Sequence, residues 1–395
     1  MQHSNSLRRS PFLCRLDDAS VLYYPLTDRL LLLNVTAKIV WDLHSRGLDQ
    51  RAIASTFAEH FGISDGQAAR DVAQVLANLT DEHFGDEEKV NDVVAAGPSV
   101  TGSGVVDWEN ELVCCGVFRF GRSRVSVLSA LPELDASFFL RFQHRSIDNV
   151  AADLLEISVR SPEAAYQLTF RGGVIAEAKT INQTNSQLME LLLSLEHPGQ
   201  RFLAYCHAAA VSYRGRSLLM PGNSGVGKST LTGYLVAHGF AYLGDDVIAI
   251  GEDDISLSLL PLPTCLSIKA GSWAILEPLF PALAKLVTLN RYERSFRYVA
   301  PQGNYESLQA AAAPSAIVFP SYSAGEATRL KPLRPLDTMI HLLEANVRLS
   351  GWGPATEEQL ARFVRFVEQT PAYELSYSEL PEAMKAIEEL LGSQP

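Results

Sequence analysis

From Ser217 to Thr230 the sequence reads Ser-Leu-Leu-Met-Pro-Gly-Asn-Ser-Gly-Val-Gly-Lys-Ser-Thr, an apolar strand-like run that breaks into glycines and resumes as an apolar helical run. It contains a complete phosphate-binding loop, Gly222-x4-Gly227-Lys228-Ser229. Glycines permit the backbone angles that turn successive N–H groups toward phosphate oxygens, the lysine reaches the β- and γ-phosphates, and the hydroxyl after it can ligate Mg²⁺. Such a loop needs a strand to launch it and a helix to receive it, so the sequence predicts an α/β domain that binds a nucleoside triphosphate. The expected cofactor set is ATP and Mg²⁺, held by Gly222, Asn223, Ser224, Gly225, Val226, Gly227, Lys228, Ser229 and Thr230. The residues do not separate ATP from GTP or pyrophosphate as donor.

Downstream, Gly244-Asp245-Asp246 falls between the apolar runs Phe240–Leu243 and Val247–Ile250. Two adjacent carboxylates inside a β-like apolar stretch are costly unless they have a task. Close to a phosphate loop that task is holding Mg²⁺ and accepting the proton of an incoming hydroxyl. Upstream, Tyr205-Cys-His207 sets a histidine in the strand-like segment before the loop, where a core role and a chemical one are both open. Phosphoryl transfer also calls for cations beyond the loop lysine. Lys269 and the cluster Arg291, Arg294 and Arg297 are the candidates, with Arg294 and Arg297 the preferred pair.

Together, His207, Gly222–Ser229 and Asp245-Asp246 resemble the catalytic core of the HPr serine kinase/phosphorylase family, in which a histidine precedes the loop and an Asp-Asp pair follows it. The resemblance spans roughly residues 105 to 350, and its specific motifs lie between 205 and 250. It implies a P-loop phosphotransferase in which Asp245 is the general base, Asp246 and Ser229 bind Mg²⁺, and His207 lies near the transferring phosphoryl group. Thr230 stands where that family usually has Glu, and Pro261-Leu-Pro-Thr-Cys-Leu-Ser-Ile-Lys269 replaces its Glu-x-Arg-Gly signature. Both departures count against HPr as the acceptor and against reverse phosphorolysis. The chain is more similar to the divergent HPr-kinase-related proteins found with peptide-modification systems, whose C-terminal part Phe319-Pro-Ser-Tyr-Ser-Ala-Gly325 also resembles.

Ahead of this core, Val21–Tyr24 and Arg29–Leu33 flank a Pro25–Asp28 turn and predict a β-hairpin. Three amphipathic helices follow over Thr36–His44, Asp49–Phe61 and Asp65–Leu79, capped at Asn34, Asp49 and Ser64. This winged-helix-like unit resembles the PqqD-like family of peptide recognition elements, through Tyr24-Pro25, Leu32–Ala37 and Ile39–Leu43. The resemblance implies docking of a leader peptide as an added strand. The expected organisation is a PqqD-like domain over 11–85, a tether over 86–104 and an HPr-kinase-like domain over 105–395.

The net charge of −12 argues against nucleic acid as a partner. Five cysteines without CxxC spacing suggest neither a disulfide framework nor a zinc site. The N-terminal residues lack an apolar signal core and no run reaches the length of a membrane helix, so the expectation is a cytoplasmic protein without a membrane partner. Homo-oligomerisation is left open. The function expected is ATP-dependent phosphorylation of Ser or Thr on a ribosomally made precursor peptide. The alternatives are a kinase for a small hydroxylated metabolite and a non-catalytic ATP-dependent peptide-binding module.

Overall fold

The computed structural model describes residues 10–25, 27–79, 112–131, 138–147, 154–160, 165–178, 180–223, 225–252, 257–262, 264–291, 294–300, 314–349 and 354–393. Ser224 and the expected tether at 86–104 lie outside these residues. The chain divides into two compact units, Met1–Asp92 with Pro354–Arg365, and Val93–Gly353 with Phe366–Pro395.

In the first unit β1 (Phe12–Leu16), β2 (Ala19–Tyr24) and β3 (Arg29–Leu33) form an antiparallel sheet in that order. The sequence reading anticipated only the β2–β3 hairpin. β1 joins it through a tight turn in which Asp17 adopts a left-handed φ of 50°, a conformation aspartate tolerates better than most residues. Helices α1 (Val35–Ser45), α2 (Gln50–Phe61) and α3 (Asp65–Leu79) follow. Asn34 and Asp49 cap α1 and α2, each side chain accepting from the third residue on at 2.8 Å, which typically stabilises a helix by about 1 kcal/mol. Ser64 Oγ accepts from Gln67 N–H ahead of α3. The apolar faces of the helices meet in one core through Val40, Ile53, Phe57, Val72 and Leu76.

Buried Tyr23 ties this unit together, its hydroxyl donating to Asp28 Oδ1 at 2.8 Å and accepting from Ala355 N–H at 2.9 Å. Tyr23→Phe deprives the buried Ala355 N–H of its acceptor. It should lower unfolding stability by about 1–3 kcal/mol. Denaturant unfolding followed by Trp41 fluorescence checks this, and an unchanged midpoint would assign the bonds no net weight.

The second unit begins with a five-stranded sheet, β4 (Val113–Phe120), β5 (Ser123–Ser129), β6 (Leu154–Arg160), β7 (Tyr166–Phe170) and β8 (Gly173–Ala178), paired in sequence order. In the sequence, Leu112–Phe120, Arg124–Leu128 and Tyr166–Ile181 read as β-rich runs expected to flank and complete the sheet that carries the glycine-rich loop, and the strands they form do not join it. Their alternating apolar residues instead pack with α4 (Ile181–Glu196) around Phe118, Phe120, Val127, Ile157 and Phe170, in a core that also takes in Tyr205, Ala249 and Leu260 and is separate from that of the loop-bearing sheet.

Next come β9 (Arg201–Cys206), β10 (Ala208–Tyr213), β11 (Arg216–Pro221), α5 (Lys228–Ala237), β12 (Ala241–Asp245), β13 (Ile248–Glu252), β14 (Leu257–Leu260) and β15 (Leu266–Lys269). They are followed by α6 (Trp273–Leu276), β16 (Leu289–Arg291), β17 (Arg294–Val299), β18 (Pro314–Tyr322), β19 (Arg329–Pro332), α7 (Pro335–Glu344), α8 (Glu357–Gln369), β20 (Ala372–Tyr377) and α9 (Leu380–Ser393). The main sheet has the order β12-β10-β11-β18-β20-β19, with β14-β13-β9 and β15-β17-β16 as smaller sheets. β18 runs parallel to both β11 and β20, while β10 is antiparallel to β11 and to β12. The carboxyl ends of β11, β12, β18 and β20 therefore share one rim, the edge at which open α/β sheets place ligands. One face of the sheet packs its alternate residues Val211, Leu218, Met220, Val318 and Leu375 against Leu231 and Leu235 of α5 and Ile387 of α9.

Candidate active site

The glycine-rich loop springs from the end of β11 and opens directly into α5, whose first helical residue is Lys228. Gly222, Gly225 and Gly227 take φ of 150°, 109° and 100°, a region that side chains rarely enter. Gly227 is also sterically fixed, since a Cβ there would come within 2.5 Å of the Tyr377 hydroxyl and 3.2 Å of Tyr322 Cβ. The loop is braced from neighbouring strands: Gly222 N–H donates to His207 O, Tyr322 N–H to Val226 O, and the Tyr377 hydroxyl to Gly227 O. Lys228 curls back over the loop, its buried amine donating to Gly222 O and, at 3.0 Å, to Asn223 O. Burial lowers the Lys228 pKa, against the pull of Asp245 and Asp246. With the free N–H groups of the first turn of α5, this end of the helix suits an anion.

His207 and Asp246 occupy the two places where the chain passes between sheets. His207 links β9 of the small sheet to β10 of the main one, and Asp246 precedes the return from β12 to β13. Because β10 pairs with β12 and β9 with β13, the crossings lie side by side, with Ala209 opposite Asp245 and Cys206 opposite Ile248. The crossing bends the backbone of Asp246 to a φ of 136°, and its N–H donates to Ala208 O at 3.0 Å. A strained non-glycine residue of this kind persists only where its surroundings over-determine it.

The two carboxylates have different surroundings. Asp246 meets Arg141 Nη1 through Oδ2 and His207 Nδ1 through Oδ1, each at 3.3 Å. Burial alone would raise its pKa, but Arg141, His207 and Lys228 outweigh burial and bring it to about 2. Asp245 is buried, accepts a hydrogen bond from the Ser229 hydroxyl, and holds Thr264 Oγ1 on its backbone carbonyl at 3.0 Å. Burial, aided by the charge of Asp246, raises the Asp245 carboxyl above its ordinary value, while Ser229, Lys228 and His207 pull the other way. One carboxylate is thus held ionised and its neighbour holds its proton more tightly. Ser229 thus meets Asp245, while Asp246 is held by Arg141 and His207. Among the described residues no group of three or more His, Cys, Asp or Glu is arranged to hold a metal ion.

The basic cluster divides. Lys269 ends β15 and Arg294 begins β17, and burial with the charge of Arg294 lowers the Lys269 pKa while Asp245 raises it, so these groups share one field. Arg297 falls an odd number of residues from Arg294 along β17 and thus on its other face. It donates to Glu277 Oε1 and Leu283 O, each at 3.2 Å, with its guanidinium 3.9 Å from the Trp273 ring centroid. Thr230 bonds Ser272 at 2.6 Å. Arg141 is the site residue that the sequence reading missed. It sits in Phe138-Phe-Leu-Arg-Phe142, and a lone cation among such residues signals a carboxylate partner elsewhere in the chain.

Residues 19–84 match the family model of coenzyme PQQ synthesis protein D (PqqD), so the first unit carries a PqqD-like domain. Among solved structures, the HPr(Ser) kinase/phosphatase from Coxiella burnetii matches with 17% identity and a TM-score of 0.22, covering 48% of this chain and 93% of that chain. A search of curated proteins finds no match. Among the described residues no helix is long and apolar enough to cross a membrane.

Proposed function

We propose that this protein is an ATP-dependent kinase that transfers the γ-phosphoryl group to a serine or threonine of a ribosomally made precursor peptide whose leader binds the PqqD-like domain. The observation that carries the reading is the meeting of Lys228, Ser229, Asp245 and Asp246 at the mouth of the glycine-rich loop. Asp245, whose burial makes it a better proton acceptor than an ordinary carboxylate, takes the proton of the acceptor hydroxyl. Lys228 and the loop N–H groups hold the triphosphate, and Arg294 and Lys269 supply further positive charge, while Arg297, paired with Glu277, buttresses β17 from its opposite face. His207 and Arg141 hold Asp246 in place.

The Ser229 hydroxyl and the ionised Asp246 carboxylate are hard oxygen donors that fit Mg²⁺, which commonly takes one or two carboxylates and completes its shell with phosphate and water. Bound there, Mg²⁺ would neutralise charge developing on the phosphate oxygens. In the first unit, β1 and β3 are the sheet's edges and so the strands open to an added leader strand, whose main-chain bonds supply affinity and side-chain pockets selectivity. Tethering the leader raises the local concentration of a weakly held acceptor segment.

The test is intact-mass analysis of candidate precursor peptides, those encoded beside this protein first, after incubation with the purified chain, ATP and Mg²⁺. A gain of about 80 Da per phosphate that vanishes with Lys228→Ala is the expected result. ATP consumption without a mass gain would point to a small-metabolite acceptor or to an ATP-driven binding module.

A further inference from the structure

The Phe319–Gly325 segment has no part in the triphosphate loop or the catalytic carboxylates, and its large exposed side chain is Tyr322. Tyr322 ends β18, on the flank of β11 opposite β10 and β12, so the loop separates it from Asp245 and Asp246. A triphosphate whose γ-phosphate lies at Asp245 points its other end away from the β12 side. Tyr322 stands on that other side. Its N–H donates to Val226 O at 3.3 Å, and its ring meets the Tyr377 ring edge-on at 5.7 Å. Tyr377 in turn bonds Gly227 O, and Ser323 N–H donates to Tyr377 O at 3.0 Å, which pins the turn that follows. The tyrosine is thus fixed to the loop through its backbone and its partner ring while 55% of it stays exposed. A large aromatic held rigidly beside a phosphate cradle and left more than half in solvent is a surface on which a flat ring can stack.

We propose that Tyr322 is the stacking platform for the base of the phosphoryl donor, which makes the donor a nucleoside triphosphate and not pyrophosphate. This rests on the triphosphate-binding reading of the loop. Stacking of a base on an aromatic side chain is commonly worth about 5- to 100-fold in affinity. The rigid mount means that little ordering is needed on binding.

Calorimetric titration of the full chain with ATP and, separately, with inorganic tripolyphosphate, both with Mg²⁺, tests the assignment. The wild type should bind ATP more tightly than tripolyphosphate. Tyr322→Ala should weaken ATP by roughly tenfold, toward the tripolyphosphate value, with tripolyphosphate affinity unchanged. Tyr322→Phe should keep the wild-type preference. Equal loss for both ligands would make Tyr322 a brace of the loop and overturn the stacking role, as would ATP affinity indifferent to Tyr322→Ala. A wild type that bound tripolyphosphate as well as ATP would overturn it while leaving the phosphate loop standing. Binding of neither ligand would remove the triphosphate reading itself.

Discussion

Asp245→Asn is expected to retain nucleotide binding while phosphoryl transfer falls by about 10²- to 10⁴-fold, the usual contribution of a positioned general base. Asparagine preserves the size of the side chain, and its carbonyl oxygen can still accept from Ser229. What it cannot do is take a proton. The same group sets the pH dependence. Its carboxyl must be ionised to act, and burial with the charge of Asp246 raises its pKa. The rate should therefore fall on acidification at a higher pH than an ordinary carboxylate would give, and recover fully above that pKa. Single-turnover rates against pH, with nucleotide affinity measured in parallel, check both statements. Full activity in Asp245→Asn would assign the base to another group.

Lys228→Met should lower kcat/KM for ATP by roughly 10²- to 10³-fold or more, because it removes a full charge aimed at the phosphates. Methionine keeps most of the stem that fills the space over the loop, so the thermal midpoint should change little. The wild-type amine is spent on Gly222 O and Asn223 O, which are loop carbonyls and not distant anchors, so its loss frees the loop without exposing a core. ATP turnover together with a melting curve separates the possibilities. Unchanged turnover in a folded variant would end the assignment of this loop to phosphate.

How much of this was legible in the sequence depended on the range of the interactions. Helix starts at Asn34 and Asp49 could be read because a cap is bonded within three residues, and the structure reproduces both. The strand-loop-helix unit around Gly222–Ser229 was legible for the same reason. The five strands from β4 to β8 were not correctly placed, since alternation shows that a strand has a buried face but not which helix covers it. Arg141 escaped because its partner Asp246 is distant in sequence and reaches it only after two sheets have formed. The cluster of Arg294 and Arg297 looked uniform as a string of charges. The pairing of β17 splits it, since Arg297 turns toward Trp273 and Glu277 while Arg294 shares the field of Lys269.

The hydroxyl that braces Gly227 belongs to Tyr377, 150 residues further along the chain. β20, which carries it, enters the main sheet only by pairing with β18 and β19, so its place beside the loop is a long-range contact of the kind that forms slowly. During synthesis the glycine-rich segment leaves the ribosome well before the strand that steadies it. A growing chain therefore has the loop sequence without its brace, and the glycine-rich loop takes its final form only when the last strand of the sheet has docked.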